Sequence, residues 1–164
     1  MALLILMAAV ALPSLGGLKG NADQKVAADQ LRARIADARG LAMQEGLPYR
    51  LAVHKDGNKI RVAPDTPEFA RVPVSDVAGG SVKAIETKIE KATINVVESD
   101  TEAEQLDDWI TLGTFLANGT CREDSTLIEV IESSFPAIRI HLRGVTGTAR
   151  VLPMDPGASG GMKP

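Results

Sequence analysis

The sequence predicts an α+β fold in which one long N-terminal helix precedes a series of short antiparallel strands. Two patterns lead to this prediction. Apolar residues recur at helical spacing over residues 21–46, and beyond Pro48 they alternate with polar residues in short runs bounded by turn residues. The chain has 164 residues, 45% of them hydrophobic, so it is long enough for one domain with a real core.

The chain begins with an apolar run, Met1 to Leu12, and the first charged residue is Lys19. The run is shorter than the roughly 20 residues that cross a bilayer as a helix. A secretory signal peptide carries its basic residues before the apolar stretch, and a core helix without a polar face needs enclosure on all sides. We interpret the run as the second half of a membrane helix, with the signal peptide and the core helix as alternatives.

Residues 21–46 have the pattern of an amphipathic helix. Its apolar positions follow one another at steps of four, four, three and four, and they are Ala27, Leu31, Ile35, Ala38 and Ala42. Gly46 and Pro48 are typical of a helix end, because glycine adopts the left-handed cap and proline cannot continue the hydrogen-bond ladder. Four residues between the apolar run and this helix are expected to kink or locally melt it: Pro13, Gly16, Gly17 and Gly20.

Eight segments beyond Pro48 have the composition and alternation of strands. They are Tyr49–Lys55, Lys59–Ala63, Ser81–Ile89, Thr93–Val97, Trp109–Phe115, Thr126–Ile131, Ala137–Leu142 and Thr148–Leu152. Asp56-Gly57-Asn58 joins the first two as a hairpin turn. We therefore expect residues 1–20 to be part of a membrane anchor, residues 21–152 a head, and residues 153–164 a Gly/Pro-rich disordered tail.

Residues with catalytic chemistry are sparse. His54 and His141 lie in separate strands, Cys121 has no His or Asp at a spacing that would activate it, and no glycine cluster has the lysine of a P-loop. The acidic connector, residues 98–108, could offer oxygen ligands to Ca²⁺, but its order does not match an EF-hand, which favours a solvated acidic surface. We predict no catalytic residue, no metal site and no cofactor.

One strand carries a basic face. Between Ile138 and Arg143, alternation predicts that three polar side chains share one face, and Arg150 follows in the last strand; the set is Arg139, His141, Arg143 and Arg150. A solvated strand face and a surface for a protein partner are the two interpretations. The net charge of −3 and the aromatic content of 3% disfavour nucleic acid as a partner.

Four stretches, taken in order, resemble the H-type minor pseudopilins (GspH/FimT-like) of type II secretion and type IV pilus systems. MALLILMAAVALPSL is similar to the second half of their signal helix, and LRARIADARGLAMQEGLPYRLAV to the passage from helix to first strand. ITLGTFLANGT resembles a strand that ends in an Asn-Gly turn, and GVTGTARV the closing strand. The resemblance covers most of Met1 to Leu152.

The resemblance implies a pilin-like fold and the role of a structural subunit in a pseudopilus or pilus-like filament involved in protein secretion, not an enzyme. It places the helix in the inner membrane and the head in the periplasm. The implied partners are other pseudopilins, the inner-membrane assembly platform, membrane lipid and secreted cargo. Small and apolar residues would then pack in the membrane or filament, and these are Leu3, Leu4, Leu6, Ala8, Ala9, Ala11, Pro13, Gly16 and Gly17.

The family's cleavage site, leading phenylalanine and pairing glutamate would all precede Met1, so we expect the natural start to lie upstream. The bilayer argument requires about eight more apolar residues on the same side. Two other functions stay open. One is a periplasmic, membrane-anchored β-domain that binds a partner without polymerising, and the other is a DNA-binding minor pilin.

Overall fold

The computed structural model of the protein describes residues 2–74, 84–99, 105–133 and 135–153. This part of the chain folds as one helix followed by nine strands and one 3₁₀ turn. Helix α1 spans Ala2–Glu45. The strands are β1 (Tyr49–His54), β2 (Lys59–Pro64), β3 (Ile85–Lys88), β4 (Thr93–Ser99), β5 (Gln105–Leu106), β6 (Trp109–Phe115), β7 (Ser125–Glu132), β8 (Phe135–Arg143) and β9 (Thr148–Val151). The predicted α+β class is confirmed.

The strands form two antiparallel sheets. The first has the order β3-β2-β1-β6-β5 and the second the order β4-β7-β8-β9. The predicted Asp-Gly-Asn hairpin joins β1 to β2, and Gly57 takes a φ of 69° there while its N–H donates to the carbonyl of His54 at 2.7 Å. Glycine suits this turn because a side chain at positive φ is strained.

Helix α1 packs on the head through the predicted apolar stripe, of which Ala27, Leu31, Ile35, Ala38 and Ala42 are all buried. It ends at Glu45, where Gly46 has a φ of 70° and donates its N–H to Ala42 at 3.0 Å, as the predicted glycine cap requires. The helix is continuous from residue 13 to residue 20, so the expected local melting was wrong. Pro13 lacks one backbone N–H and its ring opposes the carbonyl four residues earlier, yet the helix runs on through it. Among the described residues, no helix has the length and apolarity that a membrane span needs.

The main core lies where α1 and the inner faces of both sheets meet, and it includes Leu31, Leu51, Leu112, Ile128 and Ile140. A second, smaller core lies on the opposite face of the first sheet. It consists of Ala52, Ala63, Phe69, Ala84 and Trp109. Both faces of β1 and β2 are therefore covered.

Most predicted strands agree with the structure to within one or two residues at each end. The predicted Ser81–Ile89 strand is observed as β3 from residue 85, and residues 81–83 lie outside the described part. The acidic connector contains a short strand that we missed, β5, which pairs Leu106 with Trp109. A 3₁₀ turn, Phe69–Arg71, occurs in the segment between β2 and β3, for which the sequence patterns predicted no element. The predicted disordered tail lies almost wholly outside the described residues.

Candidate interaction surface

The outer face of the second sheet brings the predicted basic residues together. In the β8–β9 hairpin His141 lies opposite Arg150 and Arg143 lies opposite Thr148. Antiparallel partners share a face, so all four predicted residues lie on the solvent side: Arg139, His141, Arg143 and Arg150. Their alternating neighbours Ile140 and Leu142 are buried, as the sequence pattern predicted. Whether this surface binds a partner stays a prediction.

The four side chains differ in how they are held. Arg139 pairs with Glu129 on β7 at 2.8 Å, and the Nε2 atom of His141 lies 2.6 Å from the Ser125 hydroxyl. Among the described residues, no carboxylate forms an ion pair with Arg143 or Arg150, and both side chains are exposed. The net positive charge of this face therefore comes mainly from these two residues.

A groove of about 310 Å³ lies beside this face, between helix α1 and the edge strand β9. Its lining is apolar along the helix and carries two arginines; the residues are Arg32, Ile35, Ala36, Arg39, Gly40, Met43, Gly147, Thr148 and Ala149. The Arg39 Nε atom donates to the carbonyl of Gly119 at 3.0 Å, which fixes the Asn118-Gly119 turn against the helix. The groove was not foreseen, because it forms between segments far apart in sequence.

A buried arginine ties the segment after β2 to the first sheet. Arg61 donates from Nε to the carbonyl of Phe69 at 3.0 Å, from Nη1 to Glu86 at 2.9 Å, and from Nη2 to the carbonyl of Val72. Its guanidinium lies 5.8 Å from the ring centroids of both Phe69 and Trp109. Arg50, one strand over, makes a similar contact with Phe69 at 5.5 Å and pairs with Asp65 at 2.5 Å. All of these contacts are to the chain's own carbonyls, carboxylates and aromatic rings, so both arginines stabilise the fold.

A buried glutamine joins α1 to the second sheet. The Gln24 side chain is 1% exposed, and its Nε2 donates to the carbonyls of Val130 and Pro136, each at 2.9 Å. Sequence analysis missed this role. The signal was present, because position 24 continues the helical stripe one turn before Ala27 and Ala28.

Cys121 is buried, and it lies against a buried carboxylate. Its Sγ is 3.0 Å from Glu123, which also accepts hydrogen bonds from the N–H and hydroxyl of Thr114. Burial, with the Glu123 hydrogen bond second, raises the pKa of the Cys121 thiol to about 12 from 9.0. A thiol with this pKa is a poor nucleophile at neutral pH.

The described residues contain no group of three or more His, Cys, Asp and Glu side chains placed to hold a metal ion. Residues 100–104 of the acidic connector lie outside the described part of the chain, so calcium binding there stays untested.

At the end of the connector, Asp108 pairs with Lys55 at 2.5 Å. This hydrogen bond lowers the pKa of the Asp108 carboxyl and raises the pKa of the Lys55 ammonium. His54 packs edge-on against Trp109, with the ring centroids 5.3 Å apart.

The nine residues predicted to pack in a membrane or filament all lie in the first half of α1: Leu3, Leu4, Leu6, Ala8, Ala9, Ala11, Pro13, Gly16 and Gly17. Farther along the helix, the exposed positions include several small residues, namely Ala22, Val26, Ala33, Ala36 and Gly40. Their packing against another molecule stays a prediction.

A long N-terminal helix laid across two antiparallel sheets is the pilin-like architecture that the sequence motifs implied. The fold is similar to two solved structures of the minor pseudopilin EpsH from the type 2 secretion system of Vibrio cholerae. Both superpose with a TM-score of 0.53 over 79% of this chain. The first is 16% identical in sequence and matches over 96% of its own length, and the second is 13% identical and matches over 95% of its length. No family model and no curated protein matches the sequence. The resemblance to minor pseudopilins is thus confirmed at the level of the fold.

Proposed function

We propose that this chain is a minor pseudopilin, a structural subunit of a type II secretion pseudopilus or of a related type IV pilus-like filament. The observation that carries the proposal is the match in fold to nearly the whole length of EpsH. The order of the four sequence motifs supports it independently. The polar interior contacts of Arg61, Gln24 and Glu123 all support the fold, in keeping with a subunit that is not an enzyme.

Within this role we assign residues 1–20 to the membrane half of the helix and residues 21–152 to the periplasmic head. The apolar run from Met1 to Leu12 supports the first assignment. The exposed small residues of α1, such as Ala33, would let a neighbouring helix come close, as they do where helices pack in lipid or in a filament. The partners are then other pseudopilins and the inner-membrane assembly platform, while secreted cargo would meet the head.

The test is made in the organism that encodes the chain. Deleting the gene should reduce the extracellular amount of a type II secretion substrate or the number of pili, and expression of the natural gene should restore it. An Ala33→Leu variant should complement poorly, because it adds bulk to the exposed helix face. Asn95→Leu, an exposed position on β4, is the matched control and should complement fully. Normal secretion and normal pili in the deletion strain would argue against the proposal.

The localisation has a separate test. The native protein should fractionate with the inner membrane, resist extraction by alkaline carbonate, and expose its head to protease added to spheroplasts. Recovery of the whole protein in the soluble periplasmic fraction would favour the binding-module alternative. Specific retention on double-stranded DNA at physiological salt, lost on replacing Arg143 and Arg150, would favour the DNA-binding alternative.

A further inference from the structure

Among the described residues, strand β9 forms one edge of the second sheet and pairs with β8 alone. The N–H of Leu152 donates to the carbonyl of Arg139 on β8 at 2.9 Å. Because backbone groups of alternate residues in a strand point the same way, those of Arg150 and Thr148 also face β8. The N–H and C=O groups of Ala149 and Val151 therefore face outward, toward the groove beside α1.

The floor of this groove is open and apolar. Ile35, Ala36 and Met43 contribute its apolar surface, and Met43 is 51% exposed. Gly40 lies among them, and a Cβ atom placed there would meet nothing within 4 Å. The groove thus has room for side chains that arrive from another molecule.

The rim of the groove is basic. Arg32 and Arg39 line it from the helix, and Arg150 lies on the adjoining outer face without an ion pair to any residue in the described ranges. Arg32 contacts the carboxylate of Asp29, which is itself exposed and lies 3.4 Å away. Side chains of negative charge are the ones that complement this rim.

We propose that the β9–α1 groove binds an extended segment of a partner protein, in which apolar residues alternate with acidic ones, by addition of a strand to β9. The outward N–H and C=O groups of Ala149 and Val151 would pair with the segment's backbone. The side of the segment that faces α1 would place apolar side chains over Ala36 and Met43. The other side would direct carboxylates toward Arg150 on the outer face of the sheet. The period of two along a strand requires this alternation.

The opposite edge of the same sheet in a second copy is a poorer occupant. The edge strand there is β4, and the N–H of Ile94 already donates to the carbonyl of Gly57 at 2.9 Å. Gly57 lies so close that a Cβ on it would approach Ile94 and Thr93 to within 3.0 Å. Part of that edge is therefore covered by the β1–β2 hairpin, whereas β9 has no second strand partner within the described ranges.

The proposal is tested by fluorescence anisotropy with the purified full chain, so its outcome does not depend on filament assembly. The probe is a labelled, end-blocked heptapeptide of alternating glutamate and valine. Saturable binding is expected. A peptide of the same composition with the glutamates and valines in separate blocks, and one of alternating lysine and valine, should each bind at least about tenfold more weakly.

Two pairs of variants locate the site. Gly40→Phe fills the groove, and Ala22→Phe places the same ring on an exposed helix position about 27 Å away, at 1.5 Å per residue. Ala149→Pro removes an outward N–H, and Ala149→Val keeps it. We expect Gly40→Phe and Ala149→Pro to weaken binding about tenfold or more, and their controls to stay within about twofold of the natural chain.

Several results would overturn the proposal. They are the absence of saturable binding, equal binding of the block or lysine peptide, and natural affinity in both Gly40→Phe and Ala149→Pro. If the chain associates with itself and the peptide disrupts that association, the groove belongs to a second copy of the chain, and the proposal is also overturned. If Ala149→Pro fails to fold by circular dichroism, Gly40→Phe decides, because Gly40 is exposed and a Cβ there meets no described atom within 4 Å.

Discussion

Replacing Arg61 by alanine should lower the free energy of unfolding by about 3 kcal/mol. The side chain is 5% exposed and serves three acceptors, two of which are the backbone carbonyls of Phe69 and Val72. A buried acceptor left without a donor costs about 1–3 kcal/mol, and loss of the contact with two aromatic rings about 1 kcal/mol more. Glu86 is 29% exposed and regains water, so its lost ion pair adds little.

Urea unfolding of the full chain, followed by circular dichroism, measures this loss. For a chain of this size it corresponds to a fall in the melting temperature of roughly 10 °C. Arg61→Lys is the matched control. It keeps the charge but cannot serve three acceptors from one plane, so it should recover only part of the lost stability. A loss below about 1 kcal/mol for Arg61→Ala, or full stability for Arg61→Lys, would refute the assignment of three hydrogen bonds.

Three further predictions follow from single contacts. Gly40→Ala should raise the free energy of unfolding by about 1 kcal/mol, because alanine favours the helix and its Cβ meets no atom; an unchanged urea midpoint would contradict this. Gln24→Ala should cost about 2 kcal/mol, since two buried carbonyls lose their donor, whereas Gln30→Ala on the same helix should cost less than about 0.5. Cys121 should react with Ellman's reagent only on unfolding. The unfolded thiol ionises near pH 9 and the native one near pH 12. Between these values Cys121 should therefore lower the free energy of unfolding by up to about 1.4 kcal/mol per pH unit, and below pH 9 it should contribute nothing. The variant Cys121→Ala should lack this pH-dependent component.

The elements that sequence patterns could predict are those set by local periodicity. The helical stripe from Ala27 to Ala42 and the alternation from Ile138 to Arg143 both record which face is buried, and both agree with the structure. The Gly46 cap is also local, because its positive φ depends on one residue. Such features need no knowledge of what packs against them.

The features that the patterns did not reveal depend on contacts between distant segments. Arg50 and Arg61 alternate with apolar residues in β1 and β2, a pattern typical of a solvated face, yet the turn at Phe69 covers them. Glu123, in the loop between β6 and β7, can be buried because Thr114 on β6 donates two hydrogen bonds to it. In each case a charged or polar residue is buried by a partner that local periodicity cannot identify.

The β8–β9 hairpin carries two distinct surfaces, an outer face of arginines and a backbone edge that pairs with no further strand in the part of the chain the structure describes, and close backbone contacts hold the hairpin in place. A Cβ on Gly144 would lie 2.1 Å from the carbonyl oxygen of Glu123, and one on Gly147 would lie 2.4 Å from that of Gly119. The carbonyl of Gly119 in turn accepts a hydrogen bond from Arg39 of the helix. A hairpin fixed at both glycines has little freedom to lose on binding, which favours affinity. The two surfaces are separable, because replacing Arg143 changes the face and replacing Ala149 changes the edge.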